Sequence, residues 1–75
     1  MKTVLITGCS SGIGLAVARH LCKDGYHVLA TARKPEDVIT LKESGFIAHQ
    51  LDLDDPDSIN KAFVWALEQA PNGLY

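Results

Sequence analysis

Glycines and small polar residues follow the first apolar run of the chain, at a spacing suited to phosphate binding. Residues 7–14 read Thr-Gly-Cys-Ser-Ser-Gly-Ile-Gly and separate the apolar run 4–6 from a segment with helical apolar periodicity. A glycine turn between a buried strand and a helix directs backbone N–H groups towards whatever lies above the helix N-terminus. The helix dipole adds about half a positive charge there. We therefore predict that residues 7–14 bind a phosphate group.

The spacing of the glycines separates this loop from the common dinucleotide fingerprint G-x-G-x-x-G. Ser10 stands two residues after Gly8, and Val17 stands where the pattern begun at Gly12 would need its last glycine. The pattern present is T-G-x-x-x-G-x-G. We expect Gly8 to permit the turn, Gly12 to permit close approach of a pyrophosphate, and Gly14 to permit tight packing of helix and sheet. The alternative is an ordinary strand-to-helix turn.

A basic pair follows the second apolar run. Folds that bind NAD usually place an acid about 20 residues after the glycine loop, where it accepts from the ribose 2′-hydroxyl. Ala32 holds the matching position here, and Arg33 and Lys34 follow it. A guanidinium suits a 2′-phosphate through charge-assisted bidentate bonds. We therefore expect NADP(H) in preference to NAD(H), with a further hydroxyl contact from Ser11; the alternative is a solvated basic pair.

Three short apolar runs alternate with three helical segments, and these elements must position the loop and the basic pair. The predicted strands span residues 3–6, 27–32 and 46–51. The predicted helices begin near Ile13, at Pro35 and after the N-cap Asp55, and they end before Gly25, at Gly45 and near Ala70. The predicted inner faces of the helices consist of Ile13, Ala16, Val17 and Leu21, then Val38 and Leu41, then Ile59, Phe63, Ala66 and Leu67.

The order β-α-β-α-β-α predicts an α/β fold, a Rossmann-like doubly wound parallel sheet with right-handed crossovers. The three strands are then expected in the order 3-2-1, with a fourth strand on the free side of the first. Leu74 and Tyr75 could open that strand, which the chain does not contain. We therefore interpret residues 1–75 as the N-terminal part of one NADP-binding domain, truncated before the fourth strand.

At these residues the chain resembles the short-chain dehydrogenase/reductase family. The stretch from Thr7 to Gly14 matches the T-G-x-x-x-G-x-G motif of the compact branch at every fixed position, and the resemblance covers the whole chain. It implies cofactor contacts from the loop, Ser10 included, and a backbone contact from Ile13 to the pyrophosphate. It also implies that Asp52 accepts from the adenine amino group and that the backbone of Leu53 completes this contact. The alternative for Asp52 is a solvated turn residue.

Composition excludes several other classes of function. A net charge of −2 leaves no basic face for nucleic acid. Cys9 and Cys22 lack the spacing of a zinc site, so we expect no metal and reduced thiols, with Cys9 packed as a small side chain. The first apolar run stops before Thr7, short of the roughly 7–15 apolar residues of a secretory signal and of the roughly 20 residues of a membrane span. We therefore expect a cytoplasmic protein without a membrane span.

The family's catalytic residues are a tyrosine, a lysine four residues later and an upstream serine. Tyr26 is followed four residues later by Ala30, and Tyr75 is the last residue, so we assign no catalytic residue. The resemblance implies the NADP(H)-binding half of an oxidoreductase that interconverts an alcohol and an aldehyde or ketone, with a lipid-like, steroid or retinoid substrate. It also implies a homo-oligomeric full-length protein, whereas the 75-residue chain alone is predicted to be inactive. The alternatives are a non-catalytic nucleotide-binding module and a truncated gene product.

Overall fold

Three strands alternate with three helices in the computed structural model, which describes residues 2–9 and 12–70. The elements are β1 (Thr3–Ile6), α1 (Gly12–Lys23), β2 (His27–Ala32), α2 (Pro35–Glu43), β3 (Ile47–Gln50) and α3 (Pro56–Gln69). The predicted alternation is confirmed, and the bounds agree with the predicted ones to within about two residues.

The strands form one parallel sheet in the order β1-β2-β3, which is the predicted order 3-2-1 counted from the other edge. Thr3 lies opposite His27, and Leu29 lies opposite Ile47. Because all three strands run in the same direction, the segments that follow them emerge at one edge of the sheet. The glycine loop, the basic pair and the acidic segment after β3 are therefore neighbours.

The helices cover both faces of the sheet. Side chains alternate between the faces along a strand, so the even-numbered residues of β2 share one face. On that face a buried layer joins β2 and β3 to α1 and α2, and its members are Cys9, Ala18, Val28, Ala30, Ala32, Val38, Leu41 and Ala48. The predicted inner positions Val38 and Leu41 of α2 are confirmed. On the opposite face, Leu5 of β1 and Ala62 of α3 both line an apolar groove.

The predicted inner faces of α1 and α3 are wrong in part. Ile13 is 83% exposed and Phe63 is 53% exposed. The remaining predicted inner positions that are exposed are Ala16, Val17, Ile59 and Leu67. The three-stranded sheet buries only a few residues of these two helices, namely Ala18 in α1 and Ala62 and Ala66 in α3. Ile13 and Phe63 lie on parts of the helices that the sheet does not cover.

Local hydrogen bonds define the ends of the helices as predicted. After α1, Gly25 takes a φ of +93°, and Tyr26 N donates to the carbonyl oxygen of Leu21 at 3.0 Å. Together with the bond from Gly25 N to the carbonyl oxygen of Cys22 at 3.2 Å, this forms a Schellman-type end. The end of α2 has the corresponding two bonds, donated by Gly45 N and Phe46 N. At the start of α3 the Asp55 carboxylate accepts from Asp57 N at 3.0 Å, which confirms the predicted N-cap. Within residues 2–9 and 12–70, no helix is long and apolar enough to cross a membrane.

Candidate functional site

A cleft of about 380 Å³ lies at the carboxyl edge of the sheet, and the segments after all three strands line it. Its lining residues are Thr7, Gly8, Arg33, Leu51, Asp52, Leu53 and Asp54. The cleft thus brings together four of the predicted site residues, which are up to 45 positions apart in the chain. These four are Gly8, Arg33, Asp52 and Leu53.

Hydrogen bonds tie the glycine loop to the end of β2. The Thr31 hydroxyl donates to the carbonyl oxygen of Ile6 at 2.9 Å, and Cys9 N donates to the carbonyl oxygen of Thr31 at 2.9 Å. Thr31 is fully buried and Ile6 is partly buried, so these bonds are at least partly shielded from water. They hold the start of the loop against the strand that leads to Arg33.

Cys9 is a packing residue of this loop. Its side chain is fully buried, and its Sγ donates to the carbonyl oxygen of Ile6 at 3.3 Å. Burial raises the pKa of the Cys9 thiol above its ordinary value, although the backbone of Thr31 acts in the opposite direction. The thiol therefore stays neutral and is a poor nucleophile. The prediction of a small packed side chain is confirmed.

The loop geometry requires glycine at Gly8 and Gly12 for one reason and at Gly14 for another. Gly8 and Gly12 have φ values of +68° and +63°, in the left-handed region that side chains rarely adopt. A Cβ on Gly14 would collide with the backbone carbonyl of Gly8 and would come within 3.3 Å of the Thr7 oxygen. The first turn of α1 therefore lies directly against the end of β1, and no other residue type fits at Gly14 without movement.

The N-terminus of α1 differs in charge from those of the other two helices. The first turn of α1 has no acidic residue, whereas α2 begins with Glu36 and Asp37 and α3 carries Asp57. Acidic side chains there offset the positive end of a helix dipole, so that end of α1 retains its attraction for an anion. Ile13 belongs to this turn, and its side chain is exposed. Ser10 and Ser11 lie outside the described residues.

Arg33 reaches across the cleft towards two carboxylates. Its Nε lies 3.8 Å from Asp52 Oδ1, and its Nη2 lies 3.9 Å from Asp54 Oδ2. The Arg33 side chain remains 71% exposed. Its backbone is held in place, because Gln50 Nε2 donates to the Arg33 carbonyl oxygen at 3.0 Å. The guanidinium is thus anchored at its base and open to solvent at its tip.

Lys34 has a different place from Arg33. It is the N-cap residue of α2, with extended backbone angles, and its carbonyl oxygen accepts from Asp37 N and Val38 N. Its side chain is exposed and makes no capping hydrogen bond. Among the described residues the cleft is lined by Arg33 and not by Lys34.

Asp52 is fixed from two sides. Its Oδ1 accepts from Asp54 N at 3.0 Å, and its own N–H donates to the Ser58 hydroxyl at 2.9 Å. The Asp52 side chain is 28% exposed, so its carboxylate faces the cleft from a partly buried position. The neighbouring Leu53 has an exposed side chain. The turn and the first turn of α3 together orient a carboxylate that accepts hydrogen bonds.

The sequence patterns missed several residues that shape this cleft. Gln50 and Ser58 orient Arg33 and Asp52, and Asp54 pairs with Arg33. Ser58 carried a weak signal, since hydroxyl residues in the first turn of a helix often bond to the preceding loop. Gln50 and Asp54 carried none, because their partners belong to a segment about 20 residues away.

Trp65 and His49 lie outside the cleft, on α3 and β3. Their ring centroids are 4.9 Å apart with the planes inclined at 32°, and His49 Nδ1 lies 2.8 Å from the Gln50 carbonyl oxygen. This contact packs α3 against β3. Across residues 2–9 and 12–70, no three histidine, cysteine or acidic side chains are grouped to hold a metal ion.

Comparison with known proteins agrees with this geometry. Residues 2–73 match the family model described as short chain dehydrogenase. An uncharacterized oxidoreductase of Escherichia coli K12, YbbO, is 49% identical over 74 residues, which cover 99% of this chain and 28% of that protein. An NADPH-dependent 1-acyldihydroxyacetone phosphate reductase of Schizosaccharomyces pombe is 46% identical over 61 residues, covering 80% of this chain and 21% of that protein.

A solved structure shows the same arrangement of elements. An actinorhodin polyketide ketoreductase variant, crystallised with NADPH, superposes with a TM-score of 0.77 and 34% sequence identity. The match covers 91% of this chain and 28% of the ketoreductase. The chain therefore spans between about a fifth and under a third of the length of these proteins.

Proposed function

The chain belongs to the short-chain dehydrogenase family, and we propose that it forms the NADP(H)-binding half of an oxidoreductase that interconverts an alcohol and a carbonyl compound. The observation that carries the proposal is the single cleft lined by Gly8, Arg33, Asp52 and Leu53. An anion-attracting loop, a cation and a hydrogen-bond acceptor there match the pyrophosphate, 2′-phosphate and adenine of one dinucleotide.

Two features of the described loop residues support the assignment of the pyrophosphate. We assign the pyrophosphate to the loop of Gly8, Ser10, Gly12, Ile13 and Gly14, because the first turn of α1 carries no acid. A Cβ on Gly12 would meet nothing within 4 Å, so the space above it is open to a ligand. The nicotinamide, when bound, accepts or donates the hydride, and the protein's share is binding and orientation.

The adenosine end is assigned to the segments after β2 and β3. Asp52 Oδ1 is occupied by Asp54 N and faces Arg33, which leaves Oδ2 to accept from the adenine amino group. The backbone of Leu53, next in the chain, completes the contact with the ring. We assign the 2′-phosphate to Arg33, with Ser11 and the exposed side chain of Lys34, which does not itself line the cleft, as further donors.

Preference for NADP(H) over NAD(H) follows from the charges. In folds that bind NAD, an acid after the second strand accepts from the ribose 2′-hydroxyl. Ala32 stands at this position, is buried and offers no side-chain acceptor. Arg33 next to it supplies a guanidinium that pairs with a phosphate. The yeast relative is described as NADPH-dependent, and the ketoreductase was crystallised with NADPH; both support this preference.

The substrate proposal is a lipid-like aldehyde or ketone, the class to which steroid and retinoid carbonyls also belong. Its support is the yeast relative, which is described as reducing 1-acyldihydroxyacetone phosphate. We also propose that the full-length protein is a cytoplasmic homo-oligomer and that the 75-residue chain alone shows no dehydrogenase turnover. NADPH oxidation by this chain with any carbonyl compound would contradict the last point.

Amide chemical shifts of the ¹⁵N-labelled chain, titrated with adenosine 2′,5′-bisphosphate and with 5′-AMP, test the binding proposal. We expect saturable shifts at Gly8, Arg33, Asp52 and Leu53, and tighter binding of the bisphosphate. Guanosine 5′-monophosphate is the matched control, because it offers a carbonyl where adenine offers an amino group. A folded chain, recognised by its dispersed spectrum, that shows no shifts at these residues would contradict the proposal.

A further inference from the structure

Asp54 pairs with Arg33, although an arginine that binds phosphate needs no carboxylate partner. Its Oδ2 lies 3.9 Å from Arg33 Nη2, and its side chain is 85% exposed. Asp54 lines the same cleft as Arg33. When no nucleotide is bound, the guanidinium therefore lies between two carboxylates, that of Asp54 and that of Asp52.

The two carboxylates differ in how firmly they are held. Asp52 is partly buried, its Oδ1 accepts a backbone hydrogen bond, and its N–H is bonded to Ser58. The Asp54 backbone is fixed by the same Asp52 oxygen, while the Asp54 carboxylate extends into solvent. The Asp54 carboxylate is thus the partner that Arg33 can exchange for another anion at low cost.

A 2′-phosphate competes with Asp54 for the same donors. The phosphate carries close to two negative charges and accepts bidentate bonds from a guanidinium. The phosphate and the Asp54 carboxylate are attracted to the same positive charge of the guanidinium, so each weakens the pairing of the other with Arg33. The carboxylate, if it stays beside the phosphate, adds like-charge repulsion.

We propose that Asp54 is a specificity-determining residue that restrains Arg33 in the free protein and is displaced by the 2′-phosphate, so that it reduces the preference for NADP(H) over NAD(H). This inference rests on the proposed function, because it takes Arg33 as the 2′-phosphate ligand. Asp54 acts through Arg33 and touches neither the adenine nor the pyrophosphate.

The test is the affinity of the Asp54→Asn chain for adenosine 2′,5′-bisphosphate and for 5′-AMP. We expect the bisphosphate to bind about two- to fivefold more tightly than to the wild type at low ionic strength, the range typical of one exposed ion pair. The affinity for 5′-AMP should stay unchanged, and the gain should shrink in high salt. Asp24→Asn, on the far side of the molecule at the end of α1, makes the same change in net charge and should have no effect.

A double-mutant cycle with Arg33→Ala separates restraint of the arginine from direct repulsion of the ligand. In the Arg33→Ala background, Asp54→Asn should raise the affinity for the bisphosphate by clearly less than in the wild type, because only the direct like-charge repulsion is then removed. A gain of the same size without Arg33, or no gain in the wild-type background, overturns the inference. A different result would contradict the cofactor proposal: Arg33→Ala would not weaken the affinity for the bisphosphate more than the affinity for 5′-AMP.

The unliganded protein offers a second readout that does not depend on binding. The NMR resonance of the Arg33 Nε–H group should shift in Asp54→Asn and stay unchanged in Asp24→Asn. Because Asp54 is exposed and its side chain contributes to no helix cap, the amide spectrum elsewhere should be preserved. An Arg33 resonance that does not respond to Asp54→Asn would also contradict the proposed restraint.

Discussion

The side-chain amide of Gln50 donates to the backbone carbonyl oxygen of Arg33 at 3.0 Å, and it thereby ties the end of β3 to the start of the loop after β2. A second bond, from Leu51 N to the carbonyl oxygen of Ala32 at 2.9 Å, continues the pairing with β2 one residue past the end of β3. These two bonds connect the loop that carries Arg33 to the segment that leads to Asp52. They fix the position of Arg33, the proposed 2′-phosphate-binding residue, relative to Asp52, the proposed adenine-binding residue.

Gly14→Ala tests whether the first turn of α1 must lie against the end of β1. At an ordinary helix position, replacing glycine by alanine stabilises the helix by up to about 1 kcal/mol. Here the added Cβ collides with the Gly8 carbonyl, so we expect a loss of about 1–3 kcal/mol in the free energy of unfolding. Urea denaturation followed by circular dichroism measures it.

The control for this change is Arg19→Ala, which places an alanine at an exposed position of the same helix. Its free energy of unfolding should lie within about 0.5 kcal/mol of the wild type. A Gly14→Ala chain as stable as the wild type, or more stable, would show that the loop can move away from the helix and would contradict the close contact.

Asp52→Ala tests the assignment of Asp52 to the adenine amino group. The wild-type chain should bind 5′-AMP more tightly than inosine 5′-monophosphate, because hypoxanthine has a carbonyl where adenine has the amino donor. Loss of the Asp52 acceptor should weaken 5′-AMP binding by roughly tenfold and abolish the preference between the two nucleotides. Isothermal titration calorimetry measures both affinities, and a preference that survives in Asp52→Ala would rule out the assignment.

The two thiols should differ in their reaction with iodoacetamide. Cys9 is buried and its pKa is raised, whereas Cys22 is exposed on α1. We expect Cys22 to be modified at mildly alkaline pH while Cys9 reacts only after denaturation, as followed by mass spectrometry with Cys22→Ser as the control. Equal rates for both thiols in the folded chain would contradict the packing of Cys9.

The same burial links Cys9 to stability at alkaline pH. Because the pKa of Cys9 is higher in the folded chain than in the unfolded one, the neutral thiol contributes stability below the ordinary thiol pKa. That contribution is lost as the pH rises towards the folded-state pKa. The Cys9→Ser chain should lack this part of the alkaline decrease.

Local signals were sufficient to predict the elements and the ends of the helices. A glycine after the last apolar position, as at Gly25, or an aspartate before a proline, as at Asp55, acts within a few residues of chain and needs no knowledge of the fold. The parallel order of the strands followed from the alternation of strands and helices. These features therefore carried over to the structure with little change.

Properties that depend on packing between distant segments were not predictable in the same way. Ile13 and Phe63 have helical apolar spacing, but whether they are buried depends on how much sheet lies beneath α1 and α3. Likewise, the contacts of Arg33 with Asp54 and Gln50 join loops that are brought together only by the parallel sheet. Periodicity identifies a face of a helix, and it does not identify the surface that covers it.

The affinities of NADPH and NADH for the wild type and for Arg33→Ala test the central claim most directly. Because each hydrogen bond to a charged group contributes about 1.5–3 kcal/mol, we expect Arg33→Ala to weaken NADPH binding by roughly tenfold or more. NADH binding should change by less than about twofold, and Lys42→Ala on the exposed side of α2 should affect neither. Selective loss of NADPH affinity is the predicted result, and equal losses for the two cofactors would contradict the assignment of Arg33 to the 2′-phosphate.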